Sequence, residues 1–223
     1  MRKSRNAKDT AKNRLTPREA RTPNQKDYIR AIVENDIIIC SGPAGSGKSF
    51  IAAGMAAHQL HNKDSEISNI IVTRPLVCTG KDIGAVPGDI GEKVAPYHHP
   101  MEKHLKHFLT RAWYGHYFNE VSIQYRPLEV MRGETFDRAY MILDEAQNCT
   151  FEQIKMFITR MGKNSKVIIN GDINQTDLTR GRSGLENCIN KLREVEGIAV
   201  CELNHDDIQR NDLIAKVLRA LET

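Results

Sequence analysis

The stretch Ile37-Ile38-Ile39-Cys40-Ser41-Gly42-Pro43-Ala44-Gly45-Ser46-Gly47-Lys48-Ser49 decides the fold. Its first four residues are apolar without alternation and rich in β-branched side chains, the pattern of a parallel strand buried on both faces. A glycine-rich turn over residues 41–47 follows, and the spacing predicts a helix from Lys48 to about Leu60. The turn satisfies G-x-x-x-x-G-K-[ST]. In that motif backbone N–H groups cradle phosphate, the lysine reaches the β/γ oxygens, and the hydroxyl of Ser49 can ligate Mg²⁺. Gly42, Pro43, Ala44, Gly45, Ser46, Gly47, Lys48 and Ser49 are therefore the candidate nucleotide-binding residues, in the strand–loop–helix context that the motif requires.

The same grammar repeats outward along the chain. Upstream, Tyr28, Ile29, Ile32 and Val33 mark a helical face that begins near Pro23. Downstream, Ile70–Thr73, Tyr140–Leu143 and Lys166–Asn170 read as further buried strands, with Ile198–Leu203 as a fifth. Helical periodicity covers 151–161 and 183–195, and a helix over 211–221 closes the chain. Strands alternating with helices around the phosphate-loop motif predict an α/β P-loop NTPase with a mostly parallel sheet and helices on both faces. Residues 74–136 fit less well: their Gly/Pro-rich first half reads as a long functional loop, with short strand candidates at Val121–Tyr125 and Leu128–Met131.

In such a sheet ligands bind outside the carboxyl ends of the strands. Asp144 and Glu145 stand at one such end, where Asp144 can hold the metal through water and Glu145 can polarise an attacking water. Phosphoryl transfer depends on this division of labour, because the protein mainly positions an in-line nucleophile and neutralises developing charge. A water-activating glutamate favours hydrolysis over transfer to a small acceptor. Gln175, after Gly171-Asp172 at the next strand end, can hydrogen-bond the γ-phosphate or the lytic water. Arg74, Arg132, Arg180, Arg182 and Arg210 are candidates for phosphate contacts, of ATP or of a nucleic-acid backbone.

Charge is unevenly distributed. The 223 residues carry 32 Lys+Arg and 28 Asp+Glu, a formal net charge of +4. Residues 1–30 hold ten basic and three acidic side chains, so that segment is +7, and the remainder, with 22 basic and 25 acidic groups, is −3. Residues 1–21 accordingly read as a basic, disordered arm, and 22–223 as one ATPase domain. No apolar stretch approaches the roughly 18–20 residues of a membrane span. The basic start has no apolar segment behind it, so it is not a secretory signal, and an organelle presequence is the lesser reading. Five cysteines (Cys40, Cys78, Cys149, Cys188, Cys201) without a C-x-x-C pair suit reduced thiols and a cytoplasmic location. His98, His99, His104 and His107 have no ligand spacing and read as a solvated helix face.

Several blocks resemble the PhoH-like ATPases: Gly42–Ser49, Thr73-Arg74-Pro75 with Gly80, Val86-Pro87-Gly88-Asp89, Pro96-Tyr97, Met131-Arg132-Gly133, Ile142–Asn148, Gly171–Leu178 and Ser183-Gly184-Leu185. The resemblance runs from about Thr22 to the end of the chain and implies a RecA-like core related to superfamily 1 helicases. It further implies that Gln25, following Thr22-Pro23, reads adenine. Asp207-Ile208-Gln209-Arg210-Asn211 resembles a terminal D-[IV]-x-R stretch, which makes Arg210 the arginine-finger candidate, although Asn211 stands where the family usually has histidine. Longer relatives add RNA-binding or nuclease domains, for which 223 residues leave no room. One RecA-like domain supplies half of a helicase site, so the expected assembly is a homo-oligomeric ring, a hexamer, with Arg210 acting in trans.

Two functions are thus expected. One is an ATP- and Mg²⁺-dependent ATPase acting on RNA or single-stranded DNA, gripping backbone without sequence preference, since no aromatic residue precedes Tyr28. The alternative is a nucleotide-dependent assembly protein without unwinding activity.

Overall fold

The computed structural model describes residues 20–75, 90–175 and 183–208, and of residues 90–98 it describes the backbone. The expectations for the arm over 1–19, for Cys78, Gly80 and Val86–Asp89, for Arg180 and Arg182, and for Arg210 and the helix 211–221 lie outside the described residues.

The first helix, α1 (Pro23–Glu34), starts where proline is tolerated: Pro23 occupies the first turn, and the Thr22 hydroxyl accepts from Gln25 N at 3.2 Å. It buries Gln25, Tyr28 and Ile32, while Val33 is 64% exposed, so the apolar face is narrower than its sequence suggests. Next come β1 (Ile37–Ser41), α2 (Lys48–His61) and β2 (Asn69–Thr73). The chain continues through α3 (Ile90–Phe108), α4 (Arg111–Asn119), β3 (Ile123–Tyr125) and β4 (Ala139–Leu143), and then α5 (Phe151–Ile158), β5 (Lys166–Gly171), α6 (Gly184–Leu192) and β6 (Ile198–Glu202).

All pairings are parallel, in the order β3-β2-β4-β5-β1-β6. The apolar runs are explained by this register. Successive residues point to opposite faces, so Ile38, Cys40, Ile70, Val72, Tyr140, Ile142 and Ile168 enter a core under α1–α4. Ile39, Ile71, Met141, Leu143, Val167 and Ile169 enter a second core under α5 and α6. The central strands are thus apolar along their middle positions on both faces because helices cover both, as expected for an all-parallel sheet.

The region 74–136 departs from expectation. Within the part read as a long loop lies α3, nineteen residues long, even though Pro96 and Pro100 each remove a backbone donor. It is held by packing: Met101, Leu105 and Phe108 are buried against α2 and the sheet. The strand candidate at Leu128–Met131 is a 3₁₀ turn over Leu128–Val130. Leu128 and Met131, three residues apart, fall on one side of such a turn, and both are buried. The helices expected over 151–161 and 183–195 stop at Ile158 and Leu192. Cys40, Cys149, Cys188 and Cys201 are free thiols, and no helix among the described residues is long and apolar enough to cross a membrane.

Candidate functional site

Parallel strands deliver their carboxyl ends to one edge of the sheet. Here β1, β2, β4 and β5 bring the P-loop, Arg74, Asp144-Glu145 and Gly171-Asp172 around one crevice of about 400 Å³. The loop needs its glycines where the backbone turns left-handed, at Gly45 (φ 85°) and Gly47 (φ 99°). Gly47 is also the N-cap of α2 and provides no side chain to cap it, so the first-turn amides of a fourteen-residue helix face the crevice. Unsatisfied N–H groups and the positive end of the helix dipole suit that position for an anion. Ser46 is fully buried and ties the loop to itself, its hydroxyl donating to Pro43 O at 2.8 Å. Lys48 Nζ donates to Gly42 O and, at 3.0 Å, to Pro43 O.

Across from the loop, Ser49 Oγ donates to Asp144 Oδ1 at 2.7 Å. This bond joins the first turn of α2 to the end of β4. Asp144 is 6% exposed. Burial, followed by the charge of Glu145, raises its pKa, against the hydrogen bond from Ser49 and the charges of Arg74 and Lys48. A hydroxyl and a carboxylate oxygen side by side are hard donors of the kind Mg²⁺ prefers, and a cation there would offset the burial of the carboxylate. Among the described residues no group of three or more His, Cys, Asp or Glu is gathered for a metal.

Glu145 occupies the left-handed region (φ 58°, ψ 41°), an uncommon conformation for a non-glycine residue that costs about 1–3 kcal/mol. Its carboxylate meets Arg74 at 3.0 Å and accepts from Gln147 Nε2 at 2.6 Å. Gln147 is itself buried, its Oε1 accepting from Asp172 N at 3.1 Å. Gln175 lines the same crevice, with its N–H on Asp172 O at 3.2 Å.

Of the residues singled out from sequence, Ala44, Gly45, Gly47, Lys48, Ser49, Arg74, Asp144, Glu145 and Gln175 share this crevice. Gly42, Pro43 and Ser46 form the buried underside of the loop. Gln25, 4% exposed, lies behind it: its Nε2 donates to Ser46 O at 2.9 Å and Asp207 O at 3.3 Å, and its Oε1 accepts from Arg21 N at 2.9 Å. Arg132 is exposed and stands apart from the crevice.

Sequence reasoning assigned no role to Phe50, Pro100, His104, Gln147 or Asn170, which also line the crevice. His104 and His107 do more than face solvent. Both rings pack on Phe50, at centroid distances of 5.6 and 5.3 Å, and burial lowers the pKa of His104. The spacing of Pro100 and His104, one helical turn apart, was the available signal, and it depended on recognising α3 as a helix.

A family model described as PhoH-like protein matches residues 18–222. A PhoH-like protein of Bacillus subtilis (strain 168) is 42% identical over 203 residues, covering 91% of this chain and 63% of that protein. Protein PhoH of Escherichia coli K12 is 40% identical over 220 residues, covering 97% of this chain and 60% of its own length. The chain thus spans about three fifths of the length of these curated relatives. Among solved structures, the large terminase of bacteriophage HK97 superposes with a TM-score of 0.52 over 81% of this chain and 39% of the terminase, at 16% identity, a likeness of fold alone. With a phosphate loop, an acidic strand end facing it, and sequence agreement over nearly the whole length, the chain belongs to the PhoH-like protein family.

Proposed function

We propose that this domain binds ATP with Mg²⁺ and hydrolyses it. The observation that carries the reading is the 2.7 Å contact of Ser49 with Asp144, flanked by Lys48 and Glu145 in one crevice. In this reading Ser49, and Asp144 through water, would hold Mg²⁺, which would supply charge neutralisation at the β- and γ-phosphates. Lys48 leaves its carbonyl partners for those oxygens, Glu145 polarises the attacking water, and Gln175 hydrogen-bonds the γ-phosphate or that water. Gln25 is the proposed reader of adenine, and contact with a base would exchange one of the two hydrogen bonds its amide makes to Ser46 O and Asp207 O.

The proposed substrate of the motor is RNA or single-stranded DNA, gripped through backbone phosphates by the basic segment 1–21. The proposed assembly is a homo-oligomeric ring, hexameric by resemblance, in which Arg210 of one copy completes the crevice of the next. The helicase-type motifs and the charge asymmetry support the nucleic-acid reading, and the half-site that one RecA-like domain supplies supports the ring.

The test is ATP turnover with and without poly(U) or single-stranded DNA, with Lys48→Ala and Glu145→Gln as controls. Glu145→Gln should retain ATP binding and lose turnover, and near-normal hydrolysis would remove Glu145 from its role. Turnover indifferent to nucleic acid would favour the assembly protein. A monomeric mass in the presence of an ATP analogue, together with robust turnover, would remove the ring.

A further inference from the structure

Both oxygens of the Glu145 carboxylate are engaged, by partners of different character. Oε2 accepts from Gln147, which is 5% exposed, is fixed by Asp172 N, and sits so close to β5 that a Cβ on Gly171 would lie 3.0 Å from Gln147 N and Oε1. Oε1 faces the guanidinium of Arg74 at 3.0 Å, and that arginine's side chain is 26% exposed on the wall of the crevice. Arg74 is the first residue beyond β2, whose last residue, Thr73, pairs with Leu143 and accepts from Asp144 N at 3.0 Å. The arginine and the glutamate thus leave neighbouring strands at the same level, beside Lys48 and Ser49.

A guanidinium presents a planar fork that suits a carboxylate and a phosphate equally well. The terminal phosphate of a nucleotide seated on the P-loop would arrive in this crevice as a second and more highly charged anion. One guanidinium cannot hold both at full strength. An oxygen aimed at Arg74, moreover, is not aimed at water.

We propose that Arg74 is a switch for the terminal phosphate: it exchanges Glu145 for the γ-phosphate of a bound nucleoside triphosphate, which turns Glu145 Oε1 over to the attacking water while Gln147 keeps Oε2 in place. The exchange moves one ion pair and breaks no covalent bond. A nucleoside diphosphate brings no γ-phosphate and leaves the Arg74–Glu145 pair closed. The proposal rests on the reading of Glu145 as the residue that polarises water, and adds the device that would make this depend on a triphosphate. Arg74 acts here as a positioning residue for Glu145 and as a ligand of the phosphate.

The experiment is a double-mutant cycle read by affinity rather than turnover. Dissociation constants for ADP and for a non-hydrolysable ATP analogue, each with Mg²⁺, are measured for the wild type, Arg74→Gln, Glu145→Gln and the double variant. Releasing Arg74 by Glu145→Gln should tighten the triphosphate analogue about tenfold and leave ADP unchanged. Arg74→Gln should weaken the analogue by a similar factor, again sparing ADP. In the double variant the gain from Glu145→Gln should vanish. If Glu145→Gln tightens the analogue equally with and without Arg74, the effect is plain loss of repulsion between carboxylate and phosphate, and the switch is refuted. Equal effects on ADP and the analogue refute it as well. ADP affinity and the unfolding midpoint report an intact pocket, and if Arg74→Gln loses them, Arg74→Lys, which keeps the charge without the fork, carries the cycle. Failure of the underlying reading looks different: Glu145→Gln would keep hydrolysing ATP, whatever the affinities show.

Discussion

Tyr28 and Asn170 are fully buried, and the phenol hydroxyl donates to Asn170 Oδ1 at 2.7 Å. This one bond joins α1 to the end of β5. The phenol stays protonated well beyond its ordinary range, because burial raises its pKa. Among the described residues Asn170 Nδ2 has no hydrogen-bond partner, so the Tyr28 hydroxyl is what the buried amide has. Tyr28→Phe removes the donor without changing shape and leaves a buried amide unpaired, at a cost of about 1–3 kcal/mol. Asn170→Leu strands the hydroxyl instead and should cost a similar amount. Replacing both partners by apolar groups of like volume leaves no buried polar group unpaired, so the double variant should lie within about 1 kcal/mol of the wild type. Urea unfolding of the four proteins measures this, with a coupling of about 2 kcal/mol expected. Additive losses would refute the argument, since they would mean that each group finds another partner and the 2.7 Å contact carries no special weight.

The same substitution should have opposite signs at two glycines. Gly115→Ala in α4, where an added Cβ meets nothing within 4 Å, should stabilise by about 0.5–1 kcal/mol. Gly184→Ala, whose Cβ would lie 2.3 Å from Phe151 N and Thr150 C, should cost about 3 kcal/mol, and thermal melts compare the two. Burial, with the charges of His58 and Lys63, lowers the pKa of His61 below 6.5. The unfolded chain therefore binds the extra proton first, and this contribution to stability is complete above about pH 6.5 and is lost as pH falls below it. His61→Gln should flatten stability against pH in that window, as read by denaturant midpoints. Finally, Asp207 is 1% exposed and accepts from the Thr22 hydroxyl, Asn24 Nδ2 at 3.0 Å and Asn204 N at 2.7 Å. Asp207→Ala should cost about 3–5 kcal/mol in urea, and Asn24→Ala should add almost nothing in that background.

The central strands were legible because both faces are covered: Ile37–Cys40 and Tyr140–Leu143 are apolar at every position, and their short length, β-branched or aromatic content and the turn residues that follow separate them from buried helix segments. Ser49, Asp144 and Glu145 were legible for a related reason, since the motif and the strand ends place them at one edge. The helix α3 was legible only at its histidines, and there as a solvated face. Pro96 and Pro100 signal a break, and the packing of Leu105 and Phe108 against α2 that overrides them is tertiary. Leu128-Glu129-Val130 misled because its alternation fits a short strand, whereas on the 3₁₀ turn Leu128 and Met131 are buried and Val130 is exposed. The Arg74–Glu145 pair joins residues 71 apart in the chain, through the pairing of Thr73 with Leu143. Each residue was a candidate alone, and only the register of the sheet brings them together.

The contact between Thr22 and Asp207 closes a span of 185 residues into a ring of chain, and Gln25, three residues from one end of the span, grips the rear of the phosphate loop at Ser46. The segments that lead into α1 and out of β6 are therefore fastened at one spot. Because the Gln25 amide bonds both Ser46 O and Asp207 O, tension between these two segments would be felt by the phosphate loop without first crossing the sheet.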